Sequence, residues 1–217
     1  MTPEFSSAVD PIFLVVLEAL EQIETGRAPR PDTIMRTVRD HIDRAETQLA
    51  HRGDWPLAKY AIAGWVDEVF NQAPWEGSRW WEEHKVEVQL FKSRDAFHIF
   101  FQRAAEATGL ANKDALEVFY ICGILGFRGI YRDTEHRRYL AELGLPDSME
   151  EWIGRTSLSL QLGQDRPALV DQPRPVPGAP PLEGKYLMIG SLIFTVLSMA
   201  VAAFMAYRMF WISDDAV

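Results

Sequence analysis

Apolar residues recur along most of this chain at the three- and four-residue steps of an α-helix. Phe13, Val16, Leu17, Leu20 and Ile23 follow Asp10-Pro11, a cap with proline at the first helical position. The same period, broken by glycine and proline, predicts helices over 10–25, 32–51, 55–72, 78–91, 95–108, 112–126, 133–143 and 148–161. The breakers are Gly26 with Pro29 and Pro31, then Gly53, Pro74 with Gly77, Gly109, Gly129, and Gly144 with Pro146. Ser148-Met-Glu-Glu151 has the capping-box form. No stretch alternates apolar and polar residues as a half-buried strand would. The expected body is therefore all-α.

The pattern changes twice near the end. GQDRPALVDQPRPVPGAPPLEG holds six of the thirteen prolines, so it reads as an extended spacer that cannot sustain a helix. From Tyr186 to Tyr207 the chain then reads YLMIGSLIFTVLSMAVAAFMAY, with no ionisable charge at neutral pH and no polar face. At about 1.5 Å per residue it makes a helix of roughly 33 Å, enough for a hydrocarbon core of about 30 Å. Lys185 and Arg208 bracket it, with Tyr186, Tyr207 and Trp211 where interfacial aromatics belong. Arg166, Arg174 and Lys185 precede the stretch, whereas Arg208 and then Asp214-Asp215 follow, which puts the larger part in the cytoplasm. The expected organisation is a helical domain over 1–162, a spacer over 163–185, a transmembrane helix over 186–207 and a short tail outside over 208–217. Within the span Ser191, Thr195, Ser198, Ala202 and Ala206 form one small-residue stripe. That stripe would let a partner helix approach closely, although such residues are common in any span.

Composition narrows the function. Of 217 residues, 47% are apolar and 24% charged, with a net charge of −9 that residues 1–184 carry entirely. An acidic body repels nucleic acid, which rewards cationic neutralisation of phosphate. Cys122 is the only cysteine, which excludes an intrachain disulfide and a CxxC metal or redox site. The N-terminal stretch lacks a basic n-region, and Glu18 interrupts its apolar run, so it does not read as a signal peptide.

The candidate chemistry is sparse. Asp67 and Glu68 sit in the C-terminal half of an almost wholly apolar helix, where the dipole disfavours them by a few tenths to about 1 kcal/mol. Carboxylates there want a cationic or hydrogen-bonding partner. They are either a structural ion pair or cap, or an acidic docking site for a partner. The stretch YICGILGFRGIYRD, residues 120–133, spaces its glycines G-x-x-G-x-x-G, which matches neither a dinucleotide fingerprint nor a P-loop. Leu116, Phe119, Tyr120, Ile124 and Phe127 mark instead a buried helix, ending in a cationic turn whose Arg128 and Arg132 are candidates to meet Asp67 or Glu68. Trp75, Trp80 and Trp81 either fill a helix junction or anchor a partner. His41, His51, His84, His98 and His136 lack ligand spacing, Cys122 reads as a small buried hydrophobe, and no G-x-S-x-G elbow occurs. Neither a catalytic site nor a cofactor or metal site is expected.

Two motifs carry a resemblance. YAIAGWVDEVFNQAPW (60–75) and ALEVFYICGILGFRGIYRD (115–133) resemble the paired motifs of the DotU/IcmH/TssL family. The first agrees at Tyr60, Ala61, Ala63, Asp67, Glu68, Pro74 and Trp75. The second agrees at Leu116, Glu117, Tyr120, Cys122, Leu125, Gly126, Phe127, Gly129, Tyr131 and Arg132. The resemblance implies a bacterial inner-membrane subunit of a type VI secretion system: a hook-shaped cytoplasmic domain of two three-helix bundles on a C-terminal anchor. The implied partners are a TssM/IcmF-like membrane protein, baseplate proteins such as TssK, and lipid around the anchor; a homodimer stays open. The cleft between the bundles is the implied docking surface. Asp67, Glu68, Trp75, Arg128, Tyr131 and Arg132 are the candidate residues for docking or for locking the bundles together. Some relatives carry a periplasmic peptidoglycan-binding domain after the span; this chain resembles the short form.

Two departures stand out. Arg128 occupies a position where the family often has glutamate, and Gly64-Trp65 replaces smaller aliphatic residues. The competing readings are a type IVB secretion subunit of the same family and a membrane-anchored enzyme, which would need convergent polar groups in a deep pocket.

Overall fold

The computed structural model describes residues 1–132, 137–163 and 185–214. It comprises two units, Met1–Leu169 and Val170–Val217, treated separately below. Among the described residues there is no strand.

In the first unit, α1 (Pro3–Glu24) begins seven residues ahead of the expected start and carries Pro11 within it. An interior proline removes a helix bond and crowds the preceding turn, at a cost of about 3 kcal/mol. The early turns persist because Phe5, Val9 and Ile12 are wholly buried and the N-terminus is tethered. Thr2 donates its backbone N–H and its hydroxyl to Asp114, at 2.7 and 2.6 Å. Asp10-Pro11 is thus not the helix start; Thr2 is the N-cap and Pro3 the first helical residue. Next comes α2 (Pro31–Leu49), whose Ile34, Met35, Val38, Ile42, Ala45 and Leu49 make one buried stripe against α1.

The centre of the unit is α3 (Trp55–Gln72), which is buried on nearly every side, as its polar-poor sequence predicts. The helix expected over 78–91 forms as two, α4 (Ser78–Glu83) and α5 (Val86–Phe91). The break has a local cause. The backbone N–H groups of Val86 and Glu87, which a continuous helix would spend on its own carbonyls, go to the Asp67 carboxylate instead.

The remaining body helices are α6 (Ala96–Gly109), α7 (Asp114–Ile124), α8 (Arg137–Glu142) and α9 (Met149–Gly163). A 3-10 turn, Gly129–Tyr131, follows α7. The first part of the helix expected over 133–143 lies outside the described residues. The Ser148 hydroxyl accepts the Glu151 N–H at 3.1 Å, while the Glu151 carboxylate turns to Arg155 and not back to the cap. One apolar cluster joins these helices; Phe13 meets Trp65, Trp65 sits beneath the α7 terminus, and Phe100 stacks on Phe127 at 3.8 Å.

The glycine-rich stretch is the exit from α7. Gly126, at φ 110°, ends the helix, and the Phe127 N–H returns to the Cys122 carbonyl at 3.0 Å, driving the Phe127 ring into the core. Gly129, at φ 50°, lies so close to α6 that a Cβ there would stand 2.6 Å from the Phe97 carbonyl oxygen. Gly129→Ala is accordingly expected to destabilise the body by about 2 kcal/mol, read as a lowered thermal midpoint.

The second unit contains α10 (Lys185–Asp214), a 30-residue helix that includes the whole expected span. Described side chains run only from 191 to 205, and every one is exposed. Among the described residues no helix is both long and apolar enough to cross a membrane; residues 186–190, 206 and 207 of the expected span have no described side chain. The Thr195 and Ser198 hydroxyls donate to the carbonyls one turn earlier, Ser191 and Phe194, both at 2.8 Å. Those two positions of the stripe therefore offer surface and not hydrogen-bond donors; Ala206 lies beyond the described side chains. The spacer falls outside the described residues almost entirely, as do the last residues of the tail.

Candidate functional site

Consecutive residues on a helix point about 100° apart, so Asp67 and Glu68 reach different neighbours from one turn of α3. Asp67 is only 4% exposed. Its carboxylate accepts the Trp81 indole N–H at 2.9 Å and the N–H groups of Val86 and Glu87 at 2.7 and 2.8 Å. Burial pushes its pKa up to about 6, against the opposing pull of these three donors. It meets no arginine. Of the two acids expected to meet Arg128 or Arg132, Asp67 is therefore not the one that does, because neutral N–H groups already fill its oxygens.

Glu68 turns toward the α7 exit. It accepts the Arg128 N–H at 2.8 Å, the Gly129 N–H at 3.0 Å and the Arg132 guanidinium at 2.7 Å. Burial raises its pKa too, opposed by the Arg128 and Gly129 N–H groups and by the charge of Arg132. Arg132 is the ion-pair partner, whereas Arg128 bonds to Glu68 through its backbone N–H and adds only the more distant pull of its charge. The Arg128 side chain bends back to the carbonyls of Gly123 and Phe127, at 2.9 and 3.0 Å, and so neutralises the negative end of α7. This gives the departure at position 128 a structural use.

The two carboxylates therefore clasp two different segments to α3, α4–α5 on one hand and the glycine turn on the other. Between the clasped segments lies a cavity of about 390 Å³ whose lining includes Asn71, Lys85, Arg94 and Phe97 as well as the two acids and Arg132. Glu68→Ala should lower stability by about 2 kcal/mol, since it strands two backbone donors and a half-exposed arginine. Glu68→Gln, which keeps one acceptor, should lose about half of that; urea unfolding followed by circular dichroism checks the ranking.

The aromatic candidates divide. Trp81 is fully buried, and Trp80 stacks on His84 at 4.1 Å. Trp75 is half-buried, donates to the Phe70 carbonyl at 2.9 Å and leans on Phe70 and Trp81. Tyr131 donates its hydroxyl to the Pro146 carbonyl at 3.0 Å, tying the glycine turn to the loop before α9. Trp75, Trp81 and Tyr131 join different segments, whereas the ring contacts of Trp80 stay within α4 and its cap. Among the described residues no cluster of His, Cys, Asp and Glu is placed to hold a metal ion, and burial pushes the Cys122 thiol well up, away from thiolate chemistry.

Sequence reasoning missed a second polar hub. Arg52, in the loop before α3, places one guanidinium nitrogen 2.8 Å from both Asp54 and Asp114, two buried carboxylates. The burial of Asp114 favours its neutral form, but bonds from Thr2 and Arg52 outweigh this and lower its pKa. The clue was present in Arg52-Gly-Asp54 directly ahead of an apolar helix.

These internal clasps draw Asp67 and Glu68 from the first motif and Gly129 and Arg132 from the second. The model of the family described as "Type VI secretion system protein DotU" matches residues 4–210. The chain belongs to the DotU family. Among solved structures, the cytoplasmic domain of TssL from Acinetobacter baumannii has the same fold. That match has 22% identity and a TM-score of 0.58, covering 74% of this chain and 98% of that one. SciP/TssL from Escherichia coli enteroaggregative 042 matches with 21% identity and a TM-score of 0.49, over 69% and 85% of the two chains. No curated protein matches. This DotU-family chain is thus a structural subunit related to type VI secretion, with an all-helical body.

Proposed function

We propose that this protein anchors and organises the membrane complex of a type VI secretion system. The observation that carries the reading is the family match, which runs from the first turns of α1 through most of α10 and so takes in both the body and the apolar helix. In this reading α10 spans the inner membrane through residues 186–207, held by flanking aromatics and cations, with the body in the cytoplasm and the tail in the periplasm. The body is a hook of two three-helix bundles, joined where Asp67 and Glu68 clasp their segments. It binds a TssM/IcmF-like membrane protein, in part through the small-residue stripe, and recruits baseplate proteins such as TssK.

The work is mechanical and not chemical. Internal bonds already occupy the carboxylates that line the cavity, which supports a scaffold over an acid–base site.

The test is affinity purification of the full-length protein from gently solubilised native membranes, beside a version ending before Lys185, with partners identified by mass spectrometry. The expected result is a TssM-like protein and baseplate subunits with the full chain, the former depleted by truncation. Recovery of type IVB components, or of none of these proteins, would overturn the reading.

A further inference from the structure

Glu4, Asp10, Glu18, Glu21 and Glu24 are the only charged side chains of α1, which holds no basic residue. Glu4 meets His51 and Arg52, but the other four pair with no cation among the described residues. Only the Gln22 amide reaches one of them, Glu18, at 3.4 Å. Two of the four are badly placed for the helix itself. Glu21 and Glu24 fall in its last turn, where the negative end of the dipole repels carboxylates and favours lysine or arginine. Arg27, just past the end, gives its Nε to the Thr25 hydroxyl, and Arg30 pairs with Asp32. Charges that break a local rule with no internal partner to offset them are expected where a surface serves something outside the fold.

The same face carries exposed apolar surface. Asp10, Leu14, Leu17 and Glu21 follow one another at steps of four, three and four, so they form one line on the side of α1 turned away from the core. Leu14 is 65% exposed and Leu17 39%. A groove of about 160 Å³ lies between α1 and α2; its lining includes Val15, Ala19, Ile34, Thr33 and Thr37, and its only charged member is Glu18. The arginines of α2 do not neutralise this face. Arg36 pairs with Asp32, Arg39 donates to Gln89, and Arg44 pairs with none of the α1 acids.

We propose that this face docks an amphipathic helix of a partner protein. The apolar side chains of that helix cover Leu14 and Leu17 and enter the groove, while its lysines or arginines meet Asp10 at one end and Glu21 and Glu24 at the other. Charge selects this occupant. Unpaired carboxylates repel an anionic bilayer and nucleic acid alike. A second copy of this chain would set acid against acid. The proposal rests on α1 and its groove with α2, and is independent of the partners named above.

The experiment places photoreactive benzoylphenylalanine at position 14 or 17 of the full chain in the native bacterium, and at position 106, exposed on α6, as the control. After irradiation the captured segment is sequenced by mass spectrometry. Positions 14 and 17, but not 106, should capture one segment of another protein, with apolar residues at helical spacing and a net positive charge. Glu21→Gln/Glu24→Gln should lower the captured yield about fivefold. The same variant, purified as the full chain in non-ionic detergent, should keep its thermal midpoint or raise it, because repulsion at the helix end is relieved. Asp40→Asn/Asp43→Asn, an equal change of charge on α2, should leave the yield unaltered. No capture, or capture of a second copy, of lipid or of a segment without net positive charge, would overturn the proposal. So would equal yields from Glu21→Gln/Glu24→Gln and Asp40→Asn/Asp43→Asn, or a midpoint lowered by the former, which would make these carboxylates part of the fold.

Discussion

Asp67→Ala should lower the stability of the body by about 3–5 kcal/mol, a fall of roughly 10 °C or more in thermal midpoint for a domain of this size. The cause is threefold orphaning. The Trp81 indole, the Val86 N–H and the Glu87 N–H all lose their acceptor at a residue only 4% exposed. Asp67→Asn should do less harm, because one carbonyl oxygen remains, although its amide must then face a donor. The same group has a pH signature. Its folded pKa of about 6 lies above the unfolded value near 3.8, so between those values the native state holds a proton that the unfolded chain does not. Its contribution to stability therefore rises as pH falls through 6 and levels off below about 4. The gap in midpoint between the wild type and Asp67→Asn should widen from pH 7 to pH 5, measured by calorimetry in matched salt. A gap that stays constant from pH 7 to pH 5 would mean that the three donors hold Asp67 ionised.

Arg52→Ala should be comparably severe, at about 3–5 kcal/mol. One nitrogen of this guanidinium serves both Asp54 and Asp114, so its loss leaves two buried carboxylates side by side with no cation between them. Thr2 still bonds to Asp114, but it cannot cancel the repulsion. Two further variants separate charge from packing. Arg52→Lys should recover only part of the loss, since an ammonium cannot reproduce the fork that also reaches Asp54 through Nε. Adding Asp54→Asn to Arg52→Ala should recover some stability by removing one of the stranded charges. Denaturant midpoints of the four proteins give the order directly.

These two residues also show what a sequence can and cannot reveal. The regular helices α2 and α3 are legible because their buried faces repeat at helical spacing, from Ile34 to Leu49 and from Ala58 to Phe70. The Glu68–Arg132 pair is legible as well, for opposite charges at the end of one apolar helix and just past another invite each other. The role of Asp67 is not, because its partners are backbone N–H groups and an indole, which no charge pattern announces. The same hidden bonds divide 78–91 into α4 and α5. Pro11 misleads in the other direction: its local rule says start, but the burial of Phe5 and Val9 and the grip of Asp114 on Thr2 carry the helix through it. Arg52 has only Asp54 beside it in the sequence, and its second partner, Asp114, is brought to it from far along the chain.

For the glycine-rich turn, the chemistry follows from the geometry. Gly126 and Gly129 let the chain fold back beneath Glu68, and Arg128 and Arg132 neutralise what that reversal exposes. A phosphate cradle needs N–H groups facing an open site; here the N–H groups of Arg128 and Gly129 are spent on a carboxylate of the same protein.

The most direct test of the account is complementation in the native bacterium, scored by export of the secretion tube protein into the medium. Cells lacking this chain should lose export, regain it with the full chain, and fail to regain it with residues 1–184, even though that truncated body accumulates normally. Full export with residues 1–184 alone would contradict the claim that this protein works as a membrane-anchored subunit of the machine.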